Sequence, residues 1–203
     1  MIGIINTHFG NINAIKNIYI EHGVACKSVT NQEEVKGINK IIIPGVGNFD
    51  SIIESLKAQK LFDVLDKLVV RESMPILGIC IGMHIFFESS DEGKSNGFGW
   101  LKGAIKKLDT KGMRYPHMGW NNINFVNKSS LFKGIDDKSY FYYLHSYGNT
   151  YDTDARYVSA LTNYGQDIIC SVESENIYGV QFHPEKSHKN GARLLVNFAN
   201  LNA

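Results

Sequence analysis

The chain has 203 residues, enough for one full α/β domain with a sizeable core and too few for two comfortable ones, so a single domain spanning 1–203 is expected. Its 21 basic and 20 acidic residues leave a net charge of +1, which excludes nucleic acid or a membrane surface as a partner chosen by bulk charge. Three cysteines, Cys26, Cys80 and Cys170, form no C-x-x-C pair, which argues against a disulfide framework or a structural zinc site and fits a reducing compartment.

The first strand, Met1 to Ile5, follows no basic-then-apolar leader, and no apolar run approaches the roughly 20 residues of a membrane span; a soluble, cytoplasmic protein is expected. A loop and a helix from about Asn11 come next, with Ile12, Ile15 and Tyr19 on one face and Gly23 where the helix stops. After a strand near Ala25 to Val29, the run K-I-I-I-P-G-V-G (Lys40 to Gly47) reads as a strand buried on both faces that ends in a glycine loop. Asp50 to Val70 carries Leu61, Leu65 and Leu68 at helical spacing and is predicted as one amphipathic crossover helix. Pro75 to Ile79 is then an apolar strand, and Met83 to Glu88 the first turns of another helix.

Strands alternating with helices over this first half predict a largely parallel, doubly wound sheet, with ligands outside the carboxyl ends of its strands. After Gly93 short segments rich in Tyr, Phe, Ile and Val predict an added antiparallel region. Its strands are placed near Gly103 to Leu108, Asn121 to Val126, Tyr140 to His145, Tyr157 to Thr162, Ile168 to Glu173 and Ile177 to Phe182. A closing helix from Gly191 is marked by Leu194, Leu195, Phe198 and Leu201.

Cys80 falls on the junction between the fourth strand and its helix, held between Gly78 and Gly82 in G-I-C-I-G. That is the pattern of a nucleophile elbow, whose sharp turn needs neighbours without Cβ atoms and whose side chain projects beside a helix N-terminus. A small buried cysteine at a tight turn fits the same five residues. The strand Ile177 to Phe182 runs into His183-Pro184-Glu185, and two residues along an extended chain point the same way. A base for the thiol proton and a carboxylate to fix its tautomer are what cysteine chemistry requires. A surface histidine and a solvated glutamate are the alternative.

The motifs K-I-I-I-P-G-V-G, G-I-C-I-G-M-H, P-H-M-G-W-N, Y-L-H-S-Y and G-V-Q-F-H-P-E-K-S, in that order, resemble the class I glutamine amidotransferases over nearly the whole chain. Within them the chain is most similar to HisH-type glutaminase subunits of imidazole glycerol phosphate synthase. The resemblance implies that Cys80 is the nucleophile, His183 the acid and base, and Glu185 the group that orients it. It implies an oxyanion site from the Ile81 backbone and the loop of Val46 and Gly47, and L-glutamine held by Gly45, His84, Glu92, Ser146 and Tyr147. Glu92 also reads as an exposed loop charge in Asp91-Glu92-Gly93. No metal and no organic cofactor are implied. The expected partner is a (β/α)8-barrel synthase subunit in a heterodimer, met by Met118, Trp120, Asn121 and Tyr142, with Tyr143 on the same face. Met118 and Trp120 also read as ordinary core residues.

Two departures keep other readings open. Position 84 is usually glutamine in the family and is histidine here, and the first loop, Asn6 to Asn11, keeps only the Gly-Asn of the family's Asp-Tyr-Gly start. One alternative is a paralogue supplying ammonia to a different synthase, such as one amidating a cell-surface nucleotide sugar. A second is a catalytically idle binding or regulatory subunit, and a third a stand-alone hydrolase of the elbow-cysteine type.

Overall fold

The computed structural model describes residues 1–150 and 155–201. Its first half alternates as read from the sequence. β1 (Ile2–Ile5), α1 (Ile12–Glu21), β2 (Cys26–Val29), β3 (Lys40–Gly45) and α2 (Phe49–Ala58) lead through α3 (Phe62–Asp66) to β4 (Ile76–Cys80). α1 and α2 each open on an asparagine cap: Asn11 accepts from the Ala14 N–H at 3.2 Å and Asn48 from the Ser51 N–H at 2.8 Å. One turn of helix, α4 (Ile81–His84), precedes β5 (Phe87–Ser90).

The second half adds β6 (Leu101–Lys107), β7 (His117–Asn122), β8 (Asn124–Phe125), β9 (Tyr140–His145) and β10 (Tyr147–Gly148). It ends with β11 (Val158–Asn163), β12 (Asp167–Ser174), β13 (Ile177–Val180) and α5 (His188–Ala199). Eight strands make the central sheet in the order β2-β1-β3-β4-β13-β12-β11-β8, parallel from β2 to β13 and antiparallel beyond it. The β12–β13 hairpin turns at the predicted Ser174-Glu175-Asn176. Period-two alternation splits the core into two layers. Ile5, Ile41, Ile43 and Ile76 face α2 and α3, whereas Ile4, Ile42, Leu77 and Ile79 face α1 and α5.

Two predicted elements are corrected. The segment from Asp50 to Val70 is not one helix: it breaks after Ala58, restarts at Phe62 and finishes in a π turn, Lys67–Arg71. Lys60 takes a left-handed φ of 56°, and the Leu61 N–H closes on the Leu56 carbonyl at 2.8 Å. The turn lets Leu56, Leu61 and Leu65 all enter one core layer, which a straight helix does not allow. The helix placed at Met83 to Glu88 begins at Ile81, stops at His84 and gives way to β5. Phe87 there pairs with Leu101, and Phe86 packs 5.1 Å from Trp100 in an aromatic stack with Phe98 and Phe62. The expected antiparallel region is present in the second half, in the β7–β9 pair and from β13 to β8, while β5 with β6 and β4 with β13 pair in parallel.

Lys40, in the buried strand β3, closes the far end of the fold by donating to the Ala199 carbonyl at 2.8 Å and the Leu201 carbonyl at 2.7 Å. These are carbonyls that the end of α5 leaves without intrahelical donors. Lys40→Met keeps the stem and deletes both bonds, so an unfolding loss of about 2 kcal/mol and a Tm lower by about 4–8 °C are expected in thermal denaturation.

Candidate active site

The site lies at the carboxyl ends of β3, β4 and β13, where the sheet changes from parallel to antiparallel. Cys80 ends β4 with φ 54° and ψ −112°, a conformation that costs a non-glycine residue roughly 1–3 kcal/mol. Its neighbours show why the turn is possible. A Cβ on Gly78 would sit 2.4 Å from the Gly82 carbonyl oxygen, and one on Gly82 only 1.9 Å from that of Ile43. Both glycines let α4 fold straight back onto β3 and β4, and the thiol is left 5% exposed at the head of a cavity of about 220 Å³.

His183 arrives from β13, three residues past its end. Its N–H donates to the Tyr142 carbonyl at 2.8 Å, and the Ser187 hydroxyl donates to the His183 carbonyl at 2.6 Å while accepting from the Tyr142 N–H at 3.0 Å. The turn is thereby fastened to β9 on both sides. His183 Nδ1 donates to Glu185 Oε1 at 2.9 Å, with both side chains almost wholly buried. That bond leaves Nε2 unused, and Nε2 is buried with no hydrogen-bond partner in the protein, available to Cys80. Burial pulls the imidazole pKa down, but the Cys80 sulfur and the Glu185 carboxylate outweigh it and hold the pKa up at about 10. The imidazolium is the form the site favours.

Val46, Gly47, Ile81, His84, Glu92, Ser146 and Tyr147 all line the cavity with Cys80, as does His145. Ile81 is the first residue of α4, where backbone N–H groups lack intrahelical acceptors. Gly45 lies behind this wall, paired with Cys80 in the β3–β4 register, and a Cβ on it would reach within 2.1 Å of the Ile81 side chain. Glu92 is not a free loop charge. Its Oε2 accepts from the Phe49 N–H at 3.1 Å, and burial raises its pKa against that bond. Asp50 holds the adjoining loop by accepting from the Lys94 and Ser95 N–H groups.

Met118 and Trp120 stand half exposed on β7, and Trp120 stacks on His188 with centroids 5.1 Å apart. Tyr142 is partly exposed opposite Trp120, but Tyr143, expected on the same face, is fully buried. Alternation along β9 sends neighbouring side chains to opposite faces. Asn121 turns inward to hydrogen-bond His117 and the Asn163 carbonyl.

Sequence reasoning passed over a histidine relay between these two regions. His145 Nδ1 donates to the Tyr147 carbonyl at 2.8 Å, so its Nε2 accepts from His117 Nδ1, also at 2.8 Å, and His117 Nε2 accepts from Asn121 at 3.2 Å. The carbonyl at one end, an obligate acceptor, sets every tautomer. His117 is sandwiched between Tyr143 and Tyr164, with centroids at 4.6 and 4.0 Å. The signal in the sequence was His145 itself, inside Y-L-H-S-Y; its partner becomes visible only in the β7–β9 register, where His117 lies opposite His145.

Among the described residues no three His, Cys, Asp or Glu side chains gather to hold a metal ion, and no helix is long and apolar enough to cross a membrane. A family model described as glutamine amidotransferase class-I matches residues 4–201. The chain is 42% identical over 205 residues to the imidazole glycerol phosphate synthase subunit HisH of Leptospira borgpetersenii, covering 99% of this chain and 100% of that protein. It is 40% identical to the HisH subunit of Methanocaldococcus jannaschii, with 99% and 100% covered. Among solved structures it resembles the structure of PurLQS from Thermotoga maritima, with a TM-score of 0.76 at 18% identity over 98% of this chain and 97% of that one, a likeness of fold.

Burial pushes the His84 and His117 pKa values down to about 4, against an upward pull from Gln181 on His84, and holds His145 well below its ordinary value. Unfolding restores values near 6.5, so below that pH the unfolded chain binds protons that the folded chain refuses. The stability tied to these neutral histidines is full above pH 6.5 and is lost as pH falls toward 4. His183, with its raised pKa, acts in the opposite sense: its stability is full below pH 6.5 and is lost as pH rises above it, so it leaves the slope alone once the pH is well below 6.5. Denaturant unfolding between pH 6.5 and 4.5 is expected to lose stability with a slope approaching about 4 kcal/mol per pH unit, and His117→Gln to flatten it by about a third.

Proposed function

Because the chain belongs to the class I glutamine amidotransferases, glutamine-hydrolysing enzymes, we propose that Cys80, His183 and Glu185 are its catalytic triad and that it is the glutaminase subunit of an imidazole glycerol phosphate synthase. The observation that carries the reading is the buried Glu185–His183 pair, whose imidazole interacts with Cys80, itself lining a cavity about the size of an amino acid. End-to-end similarity to HisH subunits favours histidine biosynthesis over a paralogous sugar pathway. The 203 residues then act as one amidotransferase domain in the cytoplasm, in a heterodimer with a (β/α)8-barrel synthase subunit.

The chemistry follows from the groups in place. The Cys80 thiolate attacks the carboxamide carbon of L-glutamine, and the oxyanion that forms is met by backbone N–H groups of Ile81 and the Val46-Gly47 loop. His183 gives its Nε2 proton to the departing nitrogen, the C–N bond breaks, and ammonia leaves a γ-glutamyl thioester. Neutral His183 next takes a proton from water, whose oxygen attacks the thioester, and glutamate leaves as the C–S bond breaks. Glu185 holds the imidazole in the tautomer that presents Nε2 to both steps. Glu92 receives the α-ammonium group, the polar ends of Ser146 and Tyr147 receive the α-carboxylate, and Gly45 sets the loop that faces them. Ammonia crosses to the synthase at the face carrying Met118, Trp120 and Tyr142, with Asn121 holding its strand.

The test is glutamate release from glutamine with and without the barrel partner. Cys80→Ala is expected to lower it at least about a thousandfold and Glu185→Gln by about a hundredfold or more, while synthase turnover with added ammonium salt persists in both. Absence of glutamate release by the wild-type chain with every synthase partner overturns the proposal.

A further inference from the structure

Two residues before His183 stands a buried amide that the triad does not use. Strand alternation sends Val180 and Phe182 into the core layer facing α1 and α5 and turns Gln181 the other way, where its side chain reaches the end of β4. Gln181 is fully buried and its backbone N–H is spent on the Cys170 carbonyl at 2.9 Å. Its side chain touches two groups: Nε2 lies 3.6 Å from the Cys80 sulfur, and Oε1 lies 2.6 Å from His84 Nε2.

We propose that Gln181 stabilises the Cys80 thiolate by donating an amide N–H to its sulfur, and that His84 is the positioning residue that holds the amide this way round. The inference deepens the assignment of Cys80 as the nucleophile and rests on it. The amide orientation is fixed by what each alternative strands. With Oε1 toward His84, the imidazole donates from Nε2 and only the bare Nδ1 lone pair goes without a protein partner. With the amide reversed, Nδ1 carries a buried proton with no acceptor, and the sulfur anion faces a carbonyl oxygen. Neutral His84 therefore supplies the N–H donor that a glutamine at this position also possesses, which accounts for a histidine in the elbow helix without disabling it.

The bond discriminates between the two states of the sulfur. The protonated thiol donates to the Leu144 carbonyl, 3.9 Å away, and needs no donor of its own. Once the proton has moved to His183, the Leu144 oxygen faces a negative sulfur, and the Gln181 N–H becomes a charge-assisted bond. The other titratable groups near the sulfur are His183 with Glu185 behind it, and those lining the cavity are His84, His145, Tyr147 and Glu92. His84 and His145 are held neutral by burial, leaving His183 as the nearby cation and Glu92 as the carboxylate across the cavity.

The experiment is the pH dependence of Cys80 alkylation by iodoacetamide in the full chain, read by mass spectrometry of the peptide carrying Cys80 so that Cys26 and Cys170 are scored separately. Gln181→Met is expected to move the midpoint up by about one pH unit, and to lower kcat/KM for glutamine about tenfold through kcat rather than KM. Gln181→Glu, which keeps the shape and places a carboxylate beside the sulfur, moves it further in the same direction. His84→Leu shifts it upward as well, and His84→Gln, which restores an amide donor, brings it back toward the wild-type position. Thermal melts identify a variant that fails to fold, in which case Gln181→Glu with the His84 pair decides. A midpoint in the folded Gln181 variants that coincides with wild type overturns the inference. Alkylation requires no glutamine, so a wild-type chain that releases no glutamate overturns the glutaminase reading and leaves the thiolate contact to be judged on its own midpoint.

Discussion

The close approach of Gly82 to the Ile43 carbonyl is the constraint on which the site depends. With 1.9 Å between that oxygen and the place a Cβ would occupy, no other residue type fits without separating α4 from β3. Seating α4 there forces the chain through the positive φ at Cys80, places Ile81 at the start of a helix, and brings Gly45 opposite the nucleophile. Ordinary sheet packing then offsets the strained torsions. The isoleucines of β3 and β4 are fully buried on alternating faces, so the local cost of the turn is spread over a core that a single residue does not control.

Around this turn burial acts on four histidines in the same direction and gives two outcomes. His84, His117 and His145 have only neutral or amide partners and remain uncharged. His183 has a carboxylate on one nitrogen and the Cys80 sulfur near the other, and it keeps its proton. The distinction comes from partner charge, since all four are nearly inaccessible to solvent. His183 is thus the one imidazole of the four that holds its proton, while the other three act as fixed donors and acceptors.

The parallel half of the fold was legible because its strands are short apolar runs punctuated by glycine, and Lys40 to Gly45 and Pro75 to Cys80 carry that pattern without competition. Cys80, His183 and Glu185 were legible as a candidate site because each sits in a compact local motif. Other features depend on information that is not local. The break at Lys60 uses a left-handed lysine that no glycine advertises, and Phe86-Phe87 suits a buried helix as well as a buried strand until Leu101 is paired with it. The His117–His145 contact exists only because β7 and β9 pair in one register. Tyr143 and Gln181 are different: the period-two rule that aligned His183 with Glu185 also separates Tyr143 from Tyr142 and puts Gln181 beside His183.

The position of β13 inside the sheet has a bearing on how the protein is made. The strand that leads to His183 and Glu185 follows the other described strands in sequence, yet it inserts between β4 and β12 and joins the parallel half to the antiparallel half. On a ribosome Cys80 emerges well before His183 and Glu185, and β4 is an open edge until β13 pairs with it. Cys80 and His183 are therefore brought together only when the sheet closes.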